Sequence, residues 1–160
     1  MRNSTLLFLV KSEDGKVGEI CLAMKKRGFG AGRWNGAGGK ANEGETVEAA
    51  ALRETEEEIG VRPKSISKVA ELHFTFANKP EWDQVVHAYL CFSWEGEPVE
   101  SEEMAPRWFK TGEIPYKEMW PDDVYWLPKV ISGKLIRKAE FEFGEGDIIL
   151  RQDVEEVGAP

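Results

Sequence analysis

The chain of 160 residues is poor in several features that sort proteins quickly. It has two cysteines, Cys21 and Cys91, far apart and with no CxxC or histidine-rich neighbour. A disulfide framework and a cysteine-based metal site are therefore excluded, and both read as buried, reduced thiols. The longest apolar run near the N-terminus, LLFLV at 6–10, is too short to span a membrane and lacks the flanks of a secretory signal. A cytoplasmic protein with no membrane partner is expected. Basic residues are outnumbered, 21 against 29 acids, for a net charge of -8, and no Lys/Arg stripe interrupts the acidic regions. This argues against nucleic acid and anionic membrane as partners, but leaves small phosphorylated ligands open if a cation screens them. No internal repeat and no low-complexity linker is present.

What remains is ordinary globular material: 41% hydrophobic and 31% charged residues, enough for one compact domain over 1–160. A monomer is expected, with disorder confined to the last few residues, EEVGAP. Patterning alternates strands and helices. STLLFLVK (4–11) and EICLAMKK (19–26) read as strands joined by a turn, and RGFGAGRWNGAGGK (27–40), six glycines in fourteen residues, as a binding loop. Thr46 as N-cap, strong helix formers and Gly60 as stop define a helix over 47–59. Segments 67–77 and 84–94 form a hairpin, 106–109 a short strand, 121–132 a second helix weakened at Pro128, and 139–150 a closing hairpin.

The first helix carries the chemistry. Residues 38–61 hold seven glutamates, and Glu54, Glu57 and Glu58 stand at i, i+3 and i+4. Three carboxylates on one patch repel unless a cation sits between them, and Mg²⁺ or Mn²⁺ prefers such oxygen ligands. A solvated acidic face is the plainer alternative. The full spacing favours the metal platform. Gly39, Glu45, then Arg53-Glu54-Thr55-Glu56-Glu57-Glu58-Ile59-Gly60-Val61 resembles the signature GX5EX7REUXEEXGU of the MutT/Nudix hydrolases, with eight of nine specified positions matched. The departure is Thr55, where a bulky aliphatic is usual; its hydroxyl needs a partner.

The resemblance implies a Nudix fold, an α/β architecture with a mixed sheet sandwiched between helices. It also implies Glu54, Glu57 and Glu58 as metal ligands with help from the Gly38 carbonyl, and hydrolysis of a nucleoside diphosphate linked to another group. Arg53 can orient the carboxylates through bidentate hydrogen bonds. Glu103, in PVESEEM, corresponds to the extra metal-binding or base carboxylate of some relatives, although it also reads as a solvated loop acid.

MKKRGFGAGRWNGAGGK (24–40), MWPDDVYW (119–126), PVESEEM and HFTF together resemble the branch of the family that hydrolyses 8-oxo-dGTP and 2-hydroxy-dATP to monophosphate and pyrophosphate, sanitising the nucleotide pool. The resemblance assigns base recognition to Asn35, Trp120, Asp122 and Asp123. Chemically, Trp120 offers a stacking face with Phe29 and Phe74 as an opposing wall, and Asn35 offers a donor and an acceptor. Asp122 and Asp123 are adjacent acids, one of which should hold a proton. PDD also reads as a simple helix start. Lys25 can meet phosphate or base. Normal dNTPs, ADP-ribose, dinucleoside polyphosphates and a noncatalytic binding module are the competing readings.

Overall fold

The computed structural model describes residues 1–157. Eight strands form one mixed sheet: β1 (Arg2–Glu13), β2 (Lys16–Lys25), β3 (Trp34–Asn35), β4 (Arg62–Phe76), β5 (Gln84–Glu95), β6 (Met104–Lys110), β7 (Ile136–Phe143) and β8 (Ile149–Glu156). The order is β3-β2-β1-β5-β4-β7-β8, and β6 pairs with β2. β1 runs parallel to β5 and β4 parallel to β7, while the other pairs are antiparallel.

Alternation along β1 and β2 sorts side chains to two faces. Phe8, Val10, Ile20 and Leu22 pack in the core that holds Trp126, Leu127, Val130 and Ile131 of helix α2 (Asp123–Ile131). Leu7, Leu9, Cys21 and Ala23 pack in the opposite core with Ala51 and Ile59 of helix α1 (Val47–Ile59). The sheet is thus sandwiched between helices, as the family resemblance implied. Both cysteines are buried and free.

Helix α1 has the expected bounds. Thr46 caps it by accepting from the Ala49 N–H at 3.1 Å, and Gly60 ends it at φ 70°. Thr55 is fully buried, and its hydroxyl finds its partner within the helix, donating to the Ala51 carbonyl at 2.7 Å.

Strands depart more from the sequence reading. The glycine loop contains β3, because the chain from 34 to 40 wedges between β1 and β2 where their ladder ends. Ala23 and Met24 pair with Asn35 and Trp34, while Leu7 and Ser4 bridge to Ala37 and Lys40. β4 begins five residues earlier than expected at Arg62, and the closing hairpin extends to Ile136 and Glu156 at its two ends. The polar alternation of those extensions hid them. The disorder expected for EEVGAP does not hold for Glu155 and Glu156, which pair with β7; residues 158–160 lie outside the described residues. Helix α2 starts at Asp123 rather than 121, and Asp122 makes no capping bond with its side chain. Among the described residues no helix is long and apolar enough to cross a membrane.

Gly60→Ala is expected to destabilise the protein by about 1–2 kcal/mol, because alanine at a left-handed C-cap incurs the Cβ clash that glycine avoids. Thermal unfolding should show a Tm lower by roughly 2–8 °C; an unchanged Tm would mean that this cap is free to rearrange.

Candidate active site

Arg53 organises the acidic helix. Its Nε and Nη2 donate to the two oxygens of Glu45 at 2.8 and 2.9 Å, and Nη1 donates to Glu54 at 2.9 Å and to Glu57 at 3.2 Å. Nη2 also reaches the Lys40 carbonyl at 3.2 Å. The helix is thereby tied to the loop before it. The Arg53 hydrogen bond lowers the Glu45 carboxyl to about 2, so Glu45 stays ionised across the physiological range.

Glu58 has no such partner. It is buried, with 5% of its surface exposed, and accepts only a 3.3 Å bond from the Gly38 N–H. Burial first, then the charge of Glu54, raises its carboxyl to about 8. The backbone beside these acids carries no side chain. A Cβ on Gly39 would stand 2.6 Å from the Glu54 Cδ, and one on Gly38 would stand 1.8 Å from the Thr5 carbonyl oxygen. A buried acid raised by the charge of a second acid, next to open backbone, fits a divalent cation.

The expected convergence of three carboxylates is only partly realised. Glu57 is turned outward to Arg53 with its side chain 58% exposed. Among the described residues no group of three His, Cys, Asp or Glu side chains is placed to hold a metal. The acids are held by different groups: Glu54 and Glu57 share Arg53 Nη1, and Glu58 accepts from the Gly38 N–H.

A cavity of about 430 Å³ opens beside Glu58, Gly38 and Gly39 and runs between the glycine loop, β1, β4 and β5 to Trp120, Asp122 and Asp123. Lys25, Phe29, Asn35 and Phe74 also line it, so the structure gathers every residue expected to meet substrate. Asn35 is oriented by its neighbour: its Oδ1 accepts from the Gly36 N–H at 2.8 Å, which leaves its amide N–H groups for a ligand acceptor.

Asp122 and Asp123 are each 2% exposed. Asp122 Oδ2 accepts from the Trp126 indole N–H at 2.8 Å, while Asp123 Oδ2 has no partner. Burial raises Asp122 to about 6; burial together with the charge of Asp122 raises Asp123 well above the carboxylate range. Both groups are thus raised, the direction that favours a proton held by the pair.

The aromatic wall differs from the expectation. Phe29 lies 5.1 Å from Trp120, ring centre to ring centre, which is contact distance and leaves no room for a base between them. Phe29 is 42% exposed, so it stands at the mouth of the cavity and has to move aside for a purine to stack there. Phe74 instead packs on Phe141 and Phe143 in the cavity wall. Glu103 is not brought to the other glutamates: its carboxylate meets Arg27 at 3.4 Å, and it does not line the cavity.

Sequence reasoning missed Glu45 as the main partner of Arg53, although the spacing of the signature had specified it. It also missed Arg2, Trp82, Gln84 and Phe143, which line the cavity from strand ends and from beyond the signature, where no local pattern marks them.

Comparison with known proteins places this arrangement. The model of the Nudix domain matches residues 1–130. The oxidized purine nucleoside triphosphate hydrolase of Mus musculus is 46% identical over 138 residues, covering 86% of this chain and 87% of that protein. Its counterpart in Danio rerio is 43% identical over 140 residues, covering 88% of each. The crystal structure of the MutT protein from Bacillus halodurans superposes with a TM-score of 0.82 at 22% identity, covering 96% of this chain and 97% of that one, which speaks for the fold alone. The signature helix, the sheet that carries it and these matches agree: the chain belongs to the Nudix family.

Proposed function

We propose that this protein hydrolyses oxidised purine nucleoside triphosphates, such as 8-oxo-dGTP and 2-hydroxy-dATP, to the monophosphate and pyrophosphate with Mg²⁺, or Mn²⁺ in its place. The observation that carries this reading is the buried Asp122–Asp123 pair in the wall of the cavity that ends at Glu58 and the glycine backbone. The relatives at 46% and 43% identity bear the name of this activity.

An acid pair that shares one proton offers a donor beside acceptors. Moving that proton between the two carboxyls lets one wall meet the different hydrogen-bonding edges of more than one oxidised purine. Asn35 adds an amide donor, and Trp120 gives the stacking face once Phe29 has moved aside. The base is thereby held at the aspartate end, which directs the phosphates toward Lys25, Gly38 and Gly39.

Glu54, Glu57 and Glu58 are the residues that would hold the divalent cation. When bound, it supplies positive charge to the phosphates and makes water acidic enough to attack at neutral pH. Arg53 orients Glu54 and Glu57 for this task through its hydrogen bonds to both. Lys25 is one of three cations in the cavity lining, with Arg2 and Lys40, and can meet phosphate or base. Glu103 can join as ligand or base only by leaving Arg27.

The test is the kcat/KM for 8-oxo-dGTP, 2-hydroxy-dATP, dGTP, dATP and ADP-ribose, read as pyrophosphate or phosphate release with Mg²⁺. A large preference for the oxidised purines is expected; equal or better turnover of dGTP or ADP-ribose would overturn the base assignment. Glu57→Gln should lower kcat by about a hundredfold or more with the fold intact, and an unchanged kcat would remove Glu57 from the cation site.

Asp123→Asn should raise KM for both oxidised purines more than for dGTP. It should also change the pH dependence of stability. The folded carboxyl titrates above its ordinary value of 3.8, so the unfolded chain loses its proton first, and wild-type stability falls as pH rises from about 4 upward. Melting curves from pH 5 to 8 should therefore decline less for Asp123→Asn than for the wild type. Parallel declines would show that Asp123 is not held protonated.

A further inference from the structure

The Nudix match ends at residue 130, yet the hairpin β7–β8 beyond it returns to the nucleotide cavity. Phe143, the last residue of β7, lines the cavity and meets Trp120 edge to face at 5.8 Å. Four residues later, in the hairpin turn, Asp147 Oδ2 stands 3.0 Å from Arg33 Nη2. The Arg33 guanidinium in turn lies over the Trp120 ring, 4.1 Å from its centre. Trp120 is a cavity-lining residue and Arg33 is not; the guanidinium covers one face of the ring.

Several details set this apart from an incidental surface pair. The Arg33 and Asp147 side chains are only 28% and 30% exposed, which weakens the screening that makes open ion pairs worth little. Asp147 sits at φ 58°, a left-handed conformation that non-glycine residues adopt at a cost. The Arg33 backbone is pinned as well: its carbonyl accepts from the Lys25 N–H at 3.1 Å and its N–H donates to Gly30 O at 3.3 Å. A planar guanidinium fixed at both ends can lie flat on an indole and bond a carboxylate at once, a geometry that an ammonium's point charge holds less firmly. Trp120 also carries the acid pair, since its carbonyl accepts from the Asp123 N–H at 3.1 Å.

We infer that Asp147 and Arg33 form a clamp behind Trp120, making Arg33 a positioning residue for purine stacking and the turn of the C-terminal hairpin part of the substrate site. This rests on the reading that the purine stacks on Trp120. Arg33 touches no substrate atom. It limits the rotation of the indole, so that the base meets a surface already in place, while the glutamate end is left unaffected.

The test compares wild type, Arg33→Ala, Arg33→Lys, Asp147→Asn and the double variant Arg33→Ala/Asp147→Asn. The Kd for 8-oxo-dGMP is measured by titration calorimetry, and KM and kcat for 8-oxo-dGTP by pyrophosphate release. Arg33→Ala should raise Kd and KM about threefold to tenfold with kcat within about twofold of wild type. Arg33→Lys should recover only part of the loss. Asp147→Asn should weaken binding in the same direction, and the double variant should bind no worse than Arg33→Ala alone, because both changes act through one contact. Unchanged Kd and KM in Arg33→Ala, a loss confined to kcat, or full additivity in the double variant would overturn the inference. If Arg33→Ala does not fold, Asp147→Asn alone decides: an unchanged Kd overturns it. A wild type that turns over dGTP as well as 8-oxo-dGTP would sink the substrate reading instead, and the clamp would then stand or fall on the same variants' Kd for dGMP.

Discussion

The Arg53 guanidinium is the contact on which the catalytic half of the molecule depends. It makes five hydrogen bonds, to Glu45 twice, to Glu54, to Glu57 and to the Lys40 carbonyl, and so engages every N–H donor that it has. Three of its partners are acids that would repel one another without it. The fourth is backbone of the glycine loop. Helix, loop and carboxylates are thus held by one rigid planar group, and a lysine with three donors on a flexible stem could not replace it.

That tie works because of where the loop runs. The chain from 34 to 40 is wedged against β1: Leu7 and Ala37 exchange backbone hydrogen bonds, and the Thr5 N–H donates to the Gly39 carbonyl. Gly38 and Gly39 admit no side chain there, the first because of the Thr5 carbonyl and the second because of the Glu54 carboxyl. The close approach brings a backbone N–H to Glu58 and leaves the cavity floor bare beside it. The glycines of the binding loop are therefore a packing requirement first, and an opening for a ligand follows from it.

Helix α1 could be read from its residues to both ends, since its cap, its formers and its stop are all local. The two-face core was legible from the alternation in β1 and β2. The acid pair and Trp120 were assigned to base reading only through the family resemblance, since adjacent acids before an apolar run also read as a plain helix start; their meeting in one cavity wall depends on the fold. Other features depend on contacts that no local pattern encodes. β3 forms because β1 and β2 diverge, and the long polar ends of β4, β7 and β8 gain strand character from neighbours far away in sequence. The outward turn of Glu57 was hidden for a similar reason: i, i+3, i+4 spacing puts three acids on one face, but it does not say which of them an arginine will claim. Phe29 was read as a wall, and its contact with Trp120 is a property of the loop's path.

The two ends of the cavity resolve one electrostatic problem in different ways. At each end burial raises a carboxylate that lies beside another acid: Glu58 beside Glu54, Asp123 beside Asp122. At the glutamate end Arg53 hydrogen-bonds Glu54, and open backbone adjoins the buried member, an arrangement suited to answering the charge with a cation. At the aspartate end no arginine among the described residues hydrogen-bonds the two carboxyls; the Trp126 indole bonds Asp122, the nearby Arg33 charge opposes the shift, and both groups are still raised, the direction that favours answering the charge with a proton. A cation suits phosphates, whose negative charge is large and fixed. A proton suits a base edge, whose pattern of donors and acceptors varies while its charge does not. Burying two acids side by side costs stability at each end, whether the charge is kept or a proton is taken up, compared with an apolar pair of the same shape. That cost fits a site kept for binding rather than for folding.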